Sequence, residues 1–280
     1  SREQKFFPGS YGRVDSTGSL CRLEDFSALI TLWPTRPGSG KQTLISHQDS
    51  TSGWSLFLDD EGCLAAELGK AGDTRKFRLE GSLRERKWYQ AWLTYDAQTS
   101  KLTLGKAILD PGLKSEDQTG SSADYAFESV SQEIPFLIGA QFSGPIDSHF
   151  NGKLEEPKIF SRSLNQQEIE QAFSGKIPDG LLARWDFSRE IPTSRMIDLG
   201  PENLEGHLVN CPARGMTGSN WKGKEMCWRH APEDYGAIHF HEDDIYDFGW
   251  DTDFTIHLSE DLRSGIYAVK LECEGNEDFI

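Results

Sequence analysis

Short runs in which apolar side chains fall at every second position recur along this chain, and they point to an all-β fold. The clearest is 25–33 (DFSALITLW), where Phe26, Ala28, Ile30 and Leu32 share one face before Pro34 ends the run, the period of a pleated strand. Residues 43–46, 54–58 and 63–68 follow, the last two around the acidic turn Asp59, Asp60, Glu61, Gly62, a hairpin pattern. A second hairpin joins 88–95 to 101–105 through a polar turn, and 135–140, 152–160 and 181–187 continue the series. Pro157 cannot donate to a ladder, which predicts an edge or a bulge in the 152–160 strand. Residues 110–133 are rich in Gly, Ser, Asp and Glu and read as a long surface loop. One helix is expected, with Asn165 as N-cap, Glu168 three residues on, apolar Ile169, Ala172 and Phe173, and a stop at Ser174 and Gly175.

Beyond about residue 210 the texture changes. Residues 211–221 read as loop, and 236–241, 254–258 and 265–271 as three strands of another unit. Three strands are few for an independent sandwich. After a polar turn at 274–278 a further strand is expected, so this tail is expected to be completed from outside the 280 residues. The sequence thus divides into a sandwich over 1–209 and a β-rich extension over 210–280.

A formal charge of -16 opposes nucleic acid, whose binding needs a basic surface. It also suits anionic lipid poorly, and no apolar run approaches the ~20 residues of a membrane span. Five scattered cysteines without a CxxC pair read as reduced thiols. With no signal peptide or glycosylation sequon in view, a cytoplasmic location is expected.

The two hairpins, followed by 151–169 (NGKLEEPKIFSRSLNQQEI), resemble the concanavalin A-like, laminin G-like family. That resemblance implies a jelly-roll sandwich with a short C-terminal extension. Members often carry an Asp-Glu pair where this chain has Glu155 and Glu156 before Pro157, which departs from a calcium role there. A narrower resemblance is to large subunits of the N,N-dimethylformamidase family. It rests on 8–11 (PGSY), 32–35 (LWPT), 198–201 (DLGP), 206–210 (GHLVN), 235–244 (YGAIHFHEDD), 247–250 (DFGW) and 261–268 (DLRSGIYA). It implies a bacterial amide hydrolase whose iron site, of tyrosine and glutamate ligands, lies in a C-terminal catalytic domain beyond this chain. No catalytic residue carries over to any position here. The implied partners are the rest of the large subunit and a small subunit.

Two residue groups invite a metal. His239 and His241 fall on one face of a strand, with Asp243 and Asp244 adjoining; strand histidines beside a turn also serve as ordinary polar residues. Asp59, Asp60 and Glu61 could offer oxygens to Ca²⁺, or simply build a solvated turn. Gly38 to Lys41 lacks the first glycine and the hydroxyl of a phosphate loop and joins two strands, so it reads as a hairpin loop. Ser46, His47 and Asp49 are neighbours in sequence, which is not what defines a triad. The cysteines lack nearby basic partners and read as structural thiols. Trp33, Trp54, Trp88 and Trp92 could stack on sugar rings, although wide sandwiches need such bulk as core. The glucanase Glu-x-Asp-x-Glu motif is absent. The expected function is a non-catalytic segment of an amide hydrolase large subunit that scaffolds, contacts subunits or shapes access. The alternative is a stand-alone carbohydrate- or ligand-binding module.

Overall fold

A computed structural model describes residues 9–242, 251–252 and 254–279. The chain divides into two compact units, Ser1–Asp244 and Ile245–Ile280. In the first, strands β1 (Tyr11–Val14), β2 (Phe26–Pro34), β3 (Gln42–Gln48), β4 (Gly53–Leu58) and β5 (Cys63–Lys70) lead to β6 (Asp73–Ser82), β7 (Tyr89–Asp96) and β8 (Lys101–Ile108). Then come β9 (Gln118–Ser122), β10 (Phe136–Ile138), the small hairpin β11 (Gln141–Phe142) and β12 (Ile146–Asp147), and β13 (Gly152–Phe160). Helix α1 (Gln166–Phe173) precedes β14 (Leu181–Asp186), β15 (Arg195–Asp198), β16 (Gly206–Val209), β17 (Ala213–Met216) and β18 (Ala237–Phe240).

All but β11 and β12 join one antiparallel sheet in the order β6-β5-β4-β3-β10-β1-β16-β15-β14-β13-β2-β7-β8-β9, with β18 and β17 branching from β13. The sheet curls until its halves face each other. Phe26 of β2 stacks on Trp54 of β4 at 4.9 Å, and Phe136 of β10 on Trp185 of β14 at 5.0 Å. Phe26, Ala28, Ile30 and Leu32 all point into this core, as their alternation requires. Leu29, on the opposite face, meets Trp92, Phe160, Leu164, Ile169 and Ala172 under α1. The helix keeps its capping box: Glu168 N–H donates to Asn165 Oδ1 at 3.0 Å, and Asn165 N–H to Glu168 Oε2 at 2.9 Å.

Pro157 marks a bulge in a central strand. Pairing between β13 and β2 slips between Glu155 and Lys158, and Glu156 takes φ +46°. The bulge is also where β13 changes neighbour. Gly152 to Glu155 pair with β18, whereas Lys158 to Phe160 pair with β14.

Several elements differ from the sequence reading. The loop expected over 110–133 contains β9, which pairs with β8; its small polar residues carry no apolar alternation. Strand β6 went unanticipated because Arg75, Lys76 and Arg78 put charge on both of its faces. It forms the outer edge, where both faces reach water. The segment 211–221, read as loop, holds β17. The 236–241 strand is β18, and it belongs to the first compact unit through its pairing with β13. In the second unit, Phe254, Ile256 and Leu258 alternate but are exposed and form no strand. The 265–271 strand is displaced to β19 (Lys270–Cys273), which pairs with β20 (Asn276–Phe279).

Candidate functional site

His239 projects from β18 opposite Lys153 of β13 and Ala213 of β17. Its Nε2 is buried without a hydrogen-bond partner. Burial, then the charges of Lys153 and His241, hold its pKa below the usual histidine value. His241 is held through its backbone: its N–H donates to Ser10 Oγ at 3.0 Å, and its carbonyl accepts from Ser10 N–H at 2.8 Å. Glu242 is locked to Asn151, accepting from Nδ2 at 3.2 Å and donating its N–H to Oδ1 at 3.0 Å. Asp243 and Asp244 lie outside the described residues. Among the described residues, no group of three or more His, Cys, Asp or Glu side chains is arranged to hold a metal ion.

The acidic turn has other employment. Asp59 Oδ1 accepts the N–H groups of Glu61 at 3.1 Å and Cys63 at 3.0 Å, and Oδ2 faces Arg78 at 3.2 Å and Lys76 at 3.9 Å. Glu61 pairs with the same Arg78 at 2.9 Å, and Asp60 is exposed. Positive groups thus already surround the carboxylate that a cation would need. Ser46 Oγ donates to the Ala140 carbonyl, His47 Nε2 faces the Ile134 carbonyl, and the Asp49 carboxylate accepts from Thr51 and Ser52. Each member of that trio serves a separate local structure. Residues 38–41 link β2 to β3, but these strands do not pair: β2 lies between β13 and β7, and β3 between β10 and β4. The segment therefore crosses between distant parts of the sheet and is not the expected hairpin loop. Trp54 and Trp92 are buried, whereas Trp33 and Trp88 are half-buried and adjacent at 6.5 Å, with Lys153 Nζ 4.9 Å from the first ring and 5.9 Å from the second.

A further cluster forms at the β13 bulge, where the sequence shows Glu155, Glu156 and Pro157 but not the residues that meet them. Glu156 accepts from Lys158 Nζ at 2.6 Å and from Arg184 Nε at 2.6 Å. Lys158 is 1% exposed, and burial pushes its pKa down. Burial pushes the Glu155 carboxyl up against the N–H of Ser219, which it accepts at 3.0 Å. Glu155, Glu156, Arg184 and Asp186 line a cavity of about 200 Å³ together with Asn220 and Glu233. Two cations, Lys158 and Arg184, share the one Glu156 carboxylate, and through it Arg184 ties β14 to β13. The cluster's chemistry is that of a rivet.

Arg214 of β17 drives a second rivet. Its guanidinium donates to the carbonyls of Glu190, Thr193 and Arg195 through Nη1, and of Phe187 and Arg189 through Nη2, at 2.7–3.2 Å. Lysine cannot fork in this way. Arg214→Ala is expected to cost about 2 kcal/mol in unfolding free energy, with Arg214→Lys recovering less than half; urea titration measures both.

The geometry agrees with what comparison with known proteins shows. Residues 8–170 match the family model of the concanavalin A-like lectin/glucanases superfamily, and 213–280 match that of the N,N-dimethylformamidase beta subunit-like C-terminal region. The whole chain aligns with the N,N-dimethylformamidase beta subunits of Paracoccus aminophilus, at 33% identity, and of an Alcaligenes species, at 32%. It spans 40% of the length of each. A crystal structure from Bacteroides ovatus, proposed to be a carbohydrate binding protein, superposes with a TM-score of 0.52 at 16% identity over 72% of this chain and 56% of its own, a likeness of fold alone. The chain therefore belongs to the concanavalin A-like lectin/glucanases superfamily, and along its full length it is similar to the N-terminal part of N,N-dimethylformamidase beta subunits.

Proposed function

We propose that this chain is the non-catalytic sandwich segment of an amide hydrolase large subunit of the dimethylformamidase kind. Its role is to scaffold and to contact a catalytic domain, which holds the iron, and a small subunit. End-to-end similarity to relatives of which it spans only 40% supports the reading most directly. The rivets at Glu156 and Arg214 also support it, since they spend their charges on rigidity. The purified chain, with and without added iron, is expected to release no dimethylamine from N,N-dimethylformamide. It is also expected to be captured by the remaining part of a relative's large subunit or by its small subunit. Turnover by the chain alone, or capture by neither, overturns the proposal.

A second reading, a saccharide-binding module, draws on the adjacent half-buried Trp33 and Trp88, the kind of aromatic surface on which sugars stack. Glycan-array binding that is lost in Trp33→Ala would favour it, and a blank array would remove it.

A further inference from the structure

Burial holds four lysines of the first unit below their ordinary pKa: Lys41, Lys106, Lys153 and Lys158. Three are committed donors. Lys106 gives hydrogen bonds to the carbonyls of Glu80 and Gly81, Lys153 to Thr217, and Lys158 to Glu156. Lys41 is placed differently. The nearest carboxylate, Glu67, stands 3.7 Å from Nζ, an ion pair without a tight hydrogen bond. The ammonium lies 4.2 Å from the centroid of the buried Phe57 ring, and Lys76 Nζ approaches the same ring at 5.0 Å. Lys41 also lines two cavities. One, of about 270 Å³, contains Gln48, Glu67 and Gln141; the other, of about 230 Å³, contains Asp147, His149 and Glu242. Its side chain keeps 27% exposure. The amine is thus partly desolvated and open to approach, with a second cation over the same ring, conditions that favour the free amine. The Phe57 face and Glu67 favour the ammonium.

We propose that Lys41 is a covalent capture site for small neutral aldehydes, held as a Schiff base. The amine lone pair attacks the carbonyl carbon, and the C=O electron pair moves onto oxygen. Glu67 takes the proton released from nitrogen and returns it to that oxygen, giving a carbinolamine. A second transfer through Glu67 expels the hydroxyl as water while nitrogen forms the C=N bond. Amine and aldehyde become imine and water, with no change in oxidation state. The cavity presents the amide and hydroxyl groups of Gln48, Ser52, Thr74 and Gln141 beside the carboxylates of Asp49 and Glu67, which turn away an anionic aldehyde. Glu67 and Asp147 favour the ammonium form and Lys76 the free amine; burial is the largest influence and also favours the free amine.

The test is reductive trapping of the 280-residue chain with propionaldehyde and cyanoborohydride at neutral pH, followed by peptide mapping. Lys41 is expected to be modified at least about fivefold faster than the exposed Lys70 and Lys224. Lys76→Gln, which removes the neighbouring positive charge, is expected to slow Lys41 alone by about twofold or more. Lys41→Arg is expected to remove that adduct while leaving the melting temperature unchanged. Equal labelling of Lys41 and Lys70, or a Lys76→Gln rate matching wild type, overturns the proposal. Because the readout is an adduct and not amide turnover or subunit capture, it stands or falls apart from the scaffold role.

Discussion

Asp198→Ala is expected to unfold with a free energy about 4 kcal/mol below wild type. Asp198 is 4% exposed and receives three backbone N–H groups: Arg184 at 2.7 Å and Gly200 at 2.8 Å on Oδ1, and Leu204 at 2.7 Å on Oδ2. It folds the turn after β15 back onto β14. The Leu204 carbonyl then accepts the indole N–H of buried Trp185 at 2.8 Å, so the carboxylate fixes the far side of the core as well. Each buried donor left without an acceptor costs about 1–3 kcal/mol, and water entering the vacated space offsets part of that. Asp198→Asn separates the contributions. Its single carbonyl oxygen can keep the two bonds on the Oδ1 side, while its NH₂ confronts the Leu204 N–H donor against donor. Asparagine should therefore lie between alanine and wild type in urea unfolding followed by tryptophan fluorescence. An alanine loss below about 1 kcal/mol would show that water replaces the carboxylate fully.

Acid is expected to remove roughly 3 kcal/mol of stability through His47. This ring is 2% exposed, 5.9 Å from Phe136, with Nε2 3.1 Å from the Ile134 carbonyl. Burial pushes its pKa down from the ordinary 6.5 to about 4. Between those values the unfolded chain holds the proton and the folded chain does not. Stability is therefore complete above pH 6.5, declines as pH falls through the window, and has lost the whole contribution below about 4. His149 and His239, also pushed down by burial, act in the same direction. Glu155 opposes them, since its raised pKa lets the folded state take a proton before the unfolded one. His47→Gln retains a donor for the Ile134 carbonyl and does not titrate. Urea midpoints measured from pH 7 to pH 4 should fall less steeply for the variant; parallel slopes would refute the assignment.

How much of this was legible varied with how local the cause was. The faces of β2 follow from alternation alone, and the ends of α1 from Asn165, Glu168 and Gly175, because each signal lies within a few residues of its effect. Strands β1, β15 and β16 are four residues each, too short for a period to register. The proline of the bulge was legible and its ionic partners were not. Arg184 reaches Glu156 across 28 positions, and Arg214 reaches the Phe187 carbonyl across 27. His239 was readable as a strand residue, but its neighbour Lys153 comes from register, which no spacing in the sequence encodes. Lys41 stands in the sequence as the end of a glycine-rich loop, and the Glu67 and Phe57 that flank it come from other strands.

The division of β13 between two neighbours bears on how such a chain can recombine. The two family matches leave 171–212 between them, which looks like a natural crossover point. Yet β18 from the second match supplies the ladder for Gly152 to Glu155 of the first, and its Ile238 and Phe240 sit wholly within the common core. A crossover in that gap would not exchange one bead on a string for another. It would give half a strand a stranger for a neighbour, so the two regions can change only together.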